Sequence, residues 1–253
     1  MVTRGLKSLI RKTARGKLVR AGAYTAYRAV DHNNRPIGPK LRGIARLLSE
    51  TLWSKGVHEL VSDGRRGPAW TGPNGGLRRG RAVDAQVTRL CKGSEAARSS
   101  ASMMRMTRMT FAALAHHALV PVEAQRVVVD GQRRLATAVD IVCQRGTDEL
   151  VLVELKAGYA GSRIAPALLG GRPCSMTGPL AKARDTVLHR HLAQLAATAA
   201  LFRSETGTMQ ALRRKQVTTV SAALLYVNEQ GSELHALPDW WKRKATKLLD
   251  AIT

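Results

Sequence analysis

Two apolar runs joined by a short turn decide the fold: residues 136–143 read ATAVDIVC, residues 144–148 read QRGTD, and residues 149–156 read ELVLVELK. The apolar, partly β-branched composition of both runs favours strands, and the glycine between them favours a turn. The segment therefore predicts a β-hairpin whose second strand is apolar until it reaches Glu154.

The second strand of this hairpin ends in a charged pair. Side chains alternate faces along a strand, so Glu154 and Lys156 project from one side while Leu155 projects from the other. The hairpin can bring Asp140 beside them. Charged groups at the end of a buried strand are costly, which indicates a function. The alternative is a surface hairpin that carries a solvated ion pair.

The charged residues of the hairpin suit a hard divalent cation. Asp140 and Glu154 supply two carboxylates, and the backbone carbonyl of Leu155 supplies a third oxygen, which are ligand types that Mg²⁺ or Mn²⁺ accepts. Such an ion activates a bound water and neutralises charge on a phosphodiester. Lys156 would orient the attacking water or stabilise the transition state. We therefore expect Mg²⁺ or Mn²⁺ as cofactor and phosphodiester hydrolysis without a covalent intermediate.

The overall composition favours a polyanionic partner. The chain has 253 residues, with 41 Lys and Arg against 18 Asp and Glu, and a formal net charge of +23. Nucleic acid fits such a charge before an anionic membrane does. There is no run of about 18 apolar residues, so we predict no spanning helix and no membrane partner. The three cysteines are scattered, which favours an intracellular, reducing compartment.

The N-terminal part of the chain is unusually basic. The first 30 residues contain eight Lys or Arg and no acid. We interpret residues 1–75 as a basic helical N-terminal extension and residues 76–253 as the main domain. The extension fits a retained nucleic-acid-binding arm, a cleaved targeting segment or a nuclear address. Mitochondrion, nucleus and virion therefore all stay open as locations.

Beyond the extension, the hydrophobic pattern predicts a regular order of elements. Helices are expected over about residues 78–91, 95–119 and 180–203, and strands over about residues 120–129, 134–144, 149–156 and 217–228. A short strand and a last helix from Asp239 follow. A helix, a three-strand meander, a helix and a strand make an α/β fold, with a central mixed sheet flanked by helices.

These motifs resemble the PD-(D/E)XK nuclease superfamily, whose core is restriction-endonuclease-like. Asp140, thirteen intervening residues and then Glu154-Leu155-Lys156 carry the resemblance. Residues 80–87 are similar to the Gly-x-x-apolar-His helix of the RecB-like exonuclease branch. Residues 191–198 are similar to the Gln-x-x-x-Tyr helix of the same branch. The motifs occur in the order that this branch has them.

The resemblance implies a role for each matching residue. Asp140 and Glu154 match the metal ligands, and Lys156 matches the catalytic lysine. Gln194 matches the glutamine that steadies the active site and the phosphate. Asp84 stands where the branch often has a metal-binding histidine, so the resemblance makes it a further candidate ligand.

The sequence also departs from the pattern of the branch. Val139 replaces the proline that names the superfamily, and Thr198 replaces the tyrosine of the second helix motif. The resemblance covers roughly residues 76–228. It implies a PD-(D/E)XK core and DNA as the substrate, and it favours exonuclease action.

Basic side chains occur in clusters with few acids nearby, which predicts contacts with nucleic-acid phosphates. The clustered residues are Arg65, Arg66, Arg78, Arg79, Arg81, Arg213, Arg214 and Lys215. No base-reading pattern accompanies them. We therefore expect DNA binding with little sequence specificity and with steep salt dependence.

The function that we expect from the sequence is that of a metal-dependent DNA nuclease. The alternative is a non-catalytic basic protein that uses a nuclease-like fold to bind or package nucleic acid. RNA as the substrate is a third hypothesis, because a contact to the 2′-hydroxyl cannot be seen in a sequence. Exonuclease or endonuclease action, oligomeric state and protein partners stay open.

Overall fold

A computed structural model of the chain describes residues 16–21, 24–30, 36–53, 75–93, 103–158, 168–169 and 171–253. Within these ranges a mixed β-sheet forms the centre of the molecule, and helices pack on both of its faces. The predicted α/β class and the layer arrangement are therefore confirmed.

The N-terminal part of the chain forms strands where the sequence predicts helix. Its elements are β1 (Gly16–Ala21), β2 (Tyr24–Val30), β3 (Pro36–Gly43) and α1 (Ile44–Thr51). The three strands pair antiparallel, so the basic helical extension is wrong over these ranges. The Tyr, Thr and Val residues of β2 suit a pleated sheet. Residues 1–15 and 54–74 of the predicted extension lie outside the described residues.

The predicted meander is present. The central strands are β4 (Val120–Asp130), β5 (Leu135–Arg145) and β6 (Glu149–Ala157), followed later by β9 (Thr219–Val227) and β10 (Ser232–Ala236). The meander strands pair antiparallel, β9 lies parallel to β6, and β10 pairs antiparallel with β9. A short ribbon of β7 (Leu168–Leu169) and β8 (Arg172–Pro173) stands apart from this sheet.

Strand β5 has three neighbours, and their arrangement leaves a gap. β4 pairs along one edge of β5, while β3 and β6 share the other edge in succession. β3 pairs at Leu135 and Ala136, and β6 pairs from Ile141 onward. Residues 137–140 of β5, here called the β5 gap, lie between these two pairings. The sheet thus runs across the predicted domain boundary at residue 75, which stays a prediction.

The helices form two layers around the sheet. They are α2 (Gly75–Cys91), α3 (Arg105–His116), a 3₁₀ turn (Gly178–Leu180), α4 (Val187–Ser204), α5 (Thr206–Arg214) and α6 (Asp239–Ala251). α2 and α3 share an apolar cluster with one face of the sheet. α1, α4 and α6 share a larger apolar cluster with the opposite face.

Two helix boundaries differ from the prediction. α4 begins at Val187 and not near residue 180, because the Thr186 hydroxyl accepts a hydrogen bond from the His189 N–H at 3.0 Å and caps the helix. The helix expected over residues 95–119 is described as Arg105–His116. Helix α5 has no counterpart in the prediction. Its few apolar residues and its glycine give a weak helical signal.

Candidate active site

The predicted carboxylates meet at the β5 gap. Asp140 is the last residue of the gap, and its Oδ2 accepts a hydrogen bond from the Leu155 N–H at 2.9 Å. The register pairs Ile141 with Val153, so Asp140 and Glu154 occupy the next opposed positions of the two strands. Opposed residues of an antiparallel pair share a face. The hairpin therefore brings these two side chains together, as the sequence predicted.

Glu154 is the centre of a second set of contacts. Its Oε1 accepts hydrogen bonds from Lys156 Nζ at 2.8 Å and from Gln194 Nε2 at 2.7 Å. Lys156 Nζ also donates to Gln194 Oε1 at 3.3 Å. The side chains of Glu154 and Lys156 are only 4% and 16% exposed, so the alternative of a solvated surface ion pair is wrong.

Gln194 reaches this cluster from helix α4. Its neighbours on the helix, including Ala193, Ala196 and Ala197, are buried against the sheet. Such small side chains let a helix approach a sheet closely, which carries the Gln194 amide to Glu154. Thr198, which stands where the resemblance expects tyrosine, is also buried and stays in the core.

Gln125 is a site residue that the sequence did not reveal. It lies on β4 opposite Asp140, and its Nε2 donates to Asp140 Oδ1 at 3.2 Å and to Asp84 Oδ1 at 3.0 Å. Asp84 belongs to α2, so Gln125 joins that helix to the β5 gap. An alternating strand pattern gives no sign of this contact. We call Asp84, Asp140 and Glu154 the acidic cluster.

The backbone of β4 is irregular at Gln125, whose φ is 54°. The preceding Ala124 belongs to the apolar cluster of α2 and α3. The following Arg126 instead reaches Glu205 and Thr208 at the start of α5. Side chains two apart on a regular strand share a face, so the positive φ moves the strand from one face pattern to the other. Gln125 and Asp140 lie where the regular alternation is interrupted.

The electrostatics of the site are those of crowded carboxylates. The pKa of Asp140 is raised well above its ordinary value by burial first and by the charge of Glu154 second. Asp84 adds to the rise, and Lys156 opposes it. A cation placed among these groups would relieve the repulsion.

Tyr27 shows that the N-terminal strands reach the site. The pKa of Tyr27 is raised to about 12 by burial first and then by the charges of Asp140 and Glu154. Its ring packs with Leu41, Val127 and Ala136. Strand β2 thus supplies a wall of the site, which the sequence did not predict because its basic composition favours a helical arm there.

A buried pair flanks Lys156 on the opposite side. His191 Nδ1 and the Tyr226 hydroxyl are 2.8 Å apart, and Tyr226 is the register partner of Lys156 on β9. The pKa of His191 is lowered well below its ordinary value by burial first, then by the charges of Lys156 and Arg190. A neutral imidazole beside the ammonium leaves Lys156 as the positive charge that faces Glu154.

The donor set fits Mg²⁺ or Mn²⁺. Mg²⁺ is commonly held by one or two carboxylates together with water and substrate oxygens. Asp140 and Glu154 supply the carboxylates. The Leu155 N–H points to Asp140, and the N–H and C=O of one strand residue point to the same side, so its carbonyl also faces the β5 gap. Among the described residues, no group of three or more His, Cys, Asp or Glu side chains is arranged to hold a metal.

The predicted basic clusters fall at different places. Arg78 and Arg81 are exposed on α2. A Cβ on the intervening Gly80 would lie 3.9 Å from the carbonyl oxygen of Ala157, so this part of α2 crosses the end of β6 near the site. Arg79 is 1% exposed, which corrects the expectation that it contacts phosphate at the surface.

The other two clusters do not lie beside the acidic cluster. Arg213, Arg214 and Lys215 are exposed, but the chain that follows them pairs at Asp148 and Glu149. That is the far end of β6, five residues from Glu154 at a rise of about 3.3 Å each. Arg65 and Arg66 lie outside the described residues.

Comparisons with known proteins leave the family open. No protein-family model matches this sequence, and no curated protein sequence matches it. Of the helices in the described ranges, none is both long and apolar enough to cross a membrane.

Proposed function

We propose that this chain is a metal-dependent nuclease with a PD-(D/E)XK core of the RecB-like type. One observation carries the proposal: Asp140, Glu154 and Lys156 converge at a gap in the sheet, with Gln194 bonded to both Glu154 and Lys156. A buried cluster of this kind is expensive for a fold to maintain, and such clusters concentrate at functional sites.

The order of elements supports the same proposal. Helix α2 precedes an antiparallel meander, and α4 then leads to β9, which lies parallel to β6. This is the order that the resemblance implies. The four motifs lie on a helix, two adjacent strands and a second helix, and three of the four meet directly through Asp140, Glu154, Lys156 and Gln194.

The chemistry follows from the side chains present. Asp140, Glu154 and the Leu155 carbonyl would hold a divalent cation, which when bound lowers the pKa of water and offsets charge on the phosphate. Lys156 stands 2.8 Å from Glu154, where its ammonium would orient the attacking water or the phosphate oxygen. Gln194 restrains both residues and so preserves their geometry. Water adds to phosphorus, the ester P–O bond breaks, and the leaving oxygen takes up a proton.

The proposed substrate is DNA, held with little sequence specificity. The net charge of +23 favours a polyanion, and the exposed Arg78 and Arg81 lie at the end of β6 that carries the site. Exonuclease action is the part of the proposal that rests on the resemblance alone.

Cleavage of end-labelled single-stranded and double-stranded DNA with Mg²⁺ or Mn²⁺ tests the proposal. Asp140→Ala and Lys156→Ala should abolish cleavage while DNA binding persists. Matched controls are Asp148→Ala in the hairpin turn and Lys247→Ala on α6, both exposed and both expected to cleave as the wild type does. The product ladder distinguishes exonuclease from endonuclease action. Absence of cleavage with either metal by the wild type would refute the nuclease.

A non-catalytic nucleic-acid-binding or packaging protein is the second candidate. Glu154 already accepts hydrogen bonds from Lys156 and Gln194. The described residues also offer no group of three acidic, His or Cys side chains arranged for a metal. Both features suit a fold that keeps the site without using it. Tight DNA binding with no cleavage under any metal condition would favour this candidate.

A further inference from the structure

The Gln125 amide occupies the space between two carboxylates. Its Nε2 lies 3.0 Å from Asp84 Oδ1 and 3.2 Å from Asp140 Oδ1. The two acids come from different layers, one from helix α2 and one from strand β5. A neutral amide that donates both of its hydrogens to carboxylates stands where a cation would also be favoured.

The backbone holds Gln125 in a costly conformation. A φ of 54° is uncommon for a residue other than glycine, and such outliers cluster at functional sites. The next residue, Arg126, is anchored to Glu205 at 3.1 Å and to Thr208 at 3.2 Å, with its side chain fully buried. These contacts maintain the irregular strand, which aims the amide into the acidic cluster and away from its own strand face.

We propose that Gln125 is a metal-site residue that acts as a placeholder. In the metal-free protein its NH₂ group offsets the repulsion between Asp84 and Asp140. When a divalent cation binds, the carboxamide presents its carbonyl oxygen in place of the NH₂ group. Rotation about the last side-chain bond is soft and nearly two-fold, so the exchange needs no backbone movement. The inference rests on the proposed metal-dependent function and extends its ligand set to Asp84 and Gln125.

Two substitutions at Gln125 separate a ligand role from a packing role. Gln125→Leu removes the oxygen and should weaken Mn²⁺ affinity by roughly 10-fold to 100-fold, the range found when supporting groups of metal sites are removed. Gln125→Glu keeps the size and adds a charge, so it should tighten Mn²⁺ binding. A residue that mattered only for packing would weaken binding in both variants.

Isothermal titration of Mn²⁺ into the full chain without DNA is the experiment, with Mg²⁺ as competitor. Gln210→Leu, on the exposed face of α5, is the matched control and should bind Mn²⁺ as the wild type does. Circular dichroism of each metal-free variant verifies folding. If Gln125→Leu does not fold, Gln125→Glu still decides by the sign of its effect.

The outcomes separate the two proposals. Weaker binding in Gln125→Leu together with tighter binding in Gln125→Glu supports the placeholder. Wild-type affinity in both variants, or weaker binding in Gln125→Glu, overturns it and leaves the nuclease proposal standing. No Mn²⁺ or Mg²⁺ binding by the wild type overturns both proposals, because the metal site itself would then be absent.

Discussion

The two ends of the β5–β6 hairpin treat their carboxylates in opposite ways. At the turn end, Glu149 accepts hydrogen bonds from Arg145 at 2.7 and 2.8 Å and from Ser221 at 2.6 Å. Its pKa is lowered, chiefly by the Arg145 hydrogen bond. At the open end, burial and the charge of Glu154 raise the pKa of Asp140. The same two strands thus neutralise charge at one end and accumulate it at the other.

The difference separates a structural ion pair from a functional cluster. Arg145 is 47% exposed on its side chain, so its pair with Glu149 is partly solvated and costs the fold little. The open end instead holds carboxylates that destabilise one another, and it needs support from the surrounding structure. That support includes the Gln194 and Gln125 amides and the buried Arg126 behind them.

The largest effect is expected from removing the support of the open end. Glu205→Ala removes the carboxylate that lies 3.1 Å from the fully buried Arg126, which should lower the free energy of unfolding by about 3–5 kcal/mol. Glu149→Ala at the turn end should cost about 1 kcal/mol or less. Urea denaturation followed by circular dichroism measures both. Equal destabilisation by the two variants would remove the proposed contrast between the two ends.

Catalysis should depend on one end alone. Glu154→Gln should reduce the cleavage rate by roughly 10²–10³-fold, comparable to losing one preorganised group in an active site. Glu149→Gln is the matched control on the same strand and should leave the rate unchanged. Single-turnover cleavage of labelled DNA with Mg²⁺ gives both rates. A comparable decrease in the control would mean that activity follows strand integrity and not the acidic cluster.

The pH dependence of stability should have opposite signs at the two ends. Asp140 has a raised pKa, so the folded state binds its proton more tightly, and stability rises as pH falls from the raised value toward the ordinary value of 3.8. Glu149 has a lowered pKa, so its contribution is present above the ordinary value of 4.5 and disappears as pH falls through the folded value. In metal-free protein at neutral pH, Asp140→Asn should therefore raise the Tm and Glu149→Gln should lower it.

Thermal melts in EDTA across acidic to neutral pH measure these shifts. The difference between wild type and Asp140→Asn should shrink as the pH falls, because the wild-type carboxyl then takes up its proton. A Tm that falls in Asp140→Asn at neutral pH would show that the Leu155 hydrogen bond outweighs the repulsion.

The smallest effect concerns nucleic-acid binding. Replacing Arg78 and Arg81 by Ala should weaken DNA binding and lower the salt slope by about one for each phosphate that these arginines neutralise. The same change at Arg213 and Arg214, at the far end of β6, should have less effect on DNA that occupies the site. Fluorescence anisotropy over a salt series compares the two double variants. A larger effect at Arg213 and Arg214 would place the main binding track at the turn end.

Much of the core could be predicted from local pattern. The strands β4, β5, β6 and β9 and the helix α2 lie close to where the apolar runs predict them, because burial of alternate or continuous apolar residues is a local signal. The hairpin register follows from a short turn, and it sets Asp140 opposite Glu154. Gln194 was placed only through the resemblance of its helix motif.

Other parts depended on contacts between distant segments. Strands β1–β3 are basic and contain prolines and glycines, so their composition resembles that of an arm, yet β3 gains a partner in β5 about ninety residues later. Tyr27 enters the site through that pairing. The burial of Arg79 likewise depends on its packing at Gly158, which no local pattern records.

The sequence by itself determined the central hairpin, its apolar faces and the meeting of Asp140, Glu154 and Lys156, because alternation and turn length act over a few residues. Only the tertiary structure decided that Gln125 turns into the acidic cluster, that β2 walls the site, and that Arg213 and Arg214 lie at the far end of the sheet. These features arise from long-range pairing and from one positive φ at Gln125, neither of which has a periodic signature in the chain.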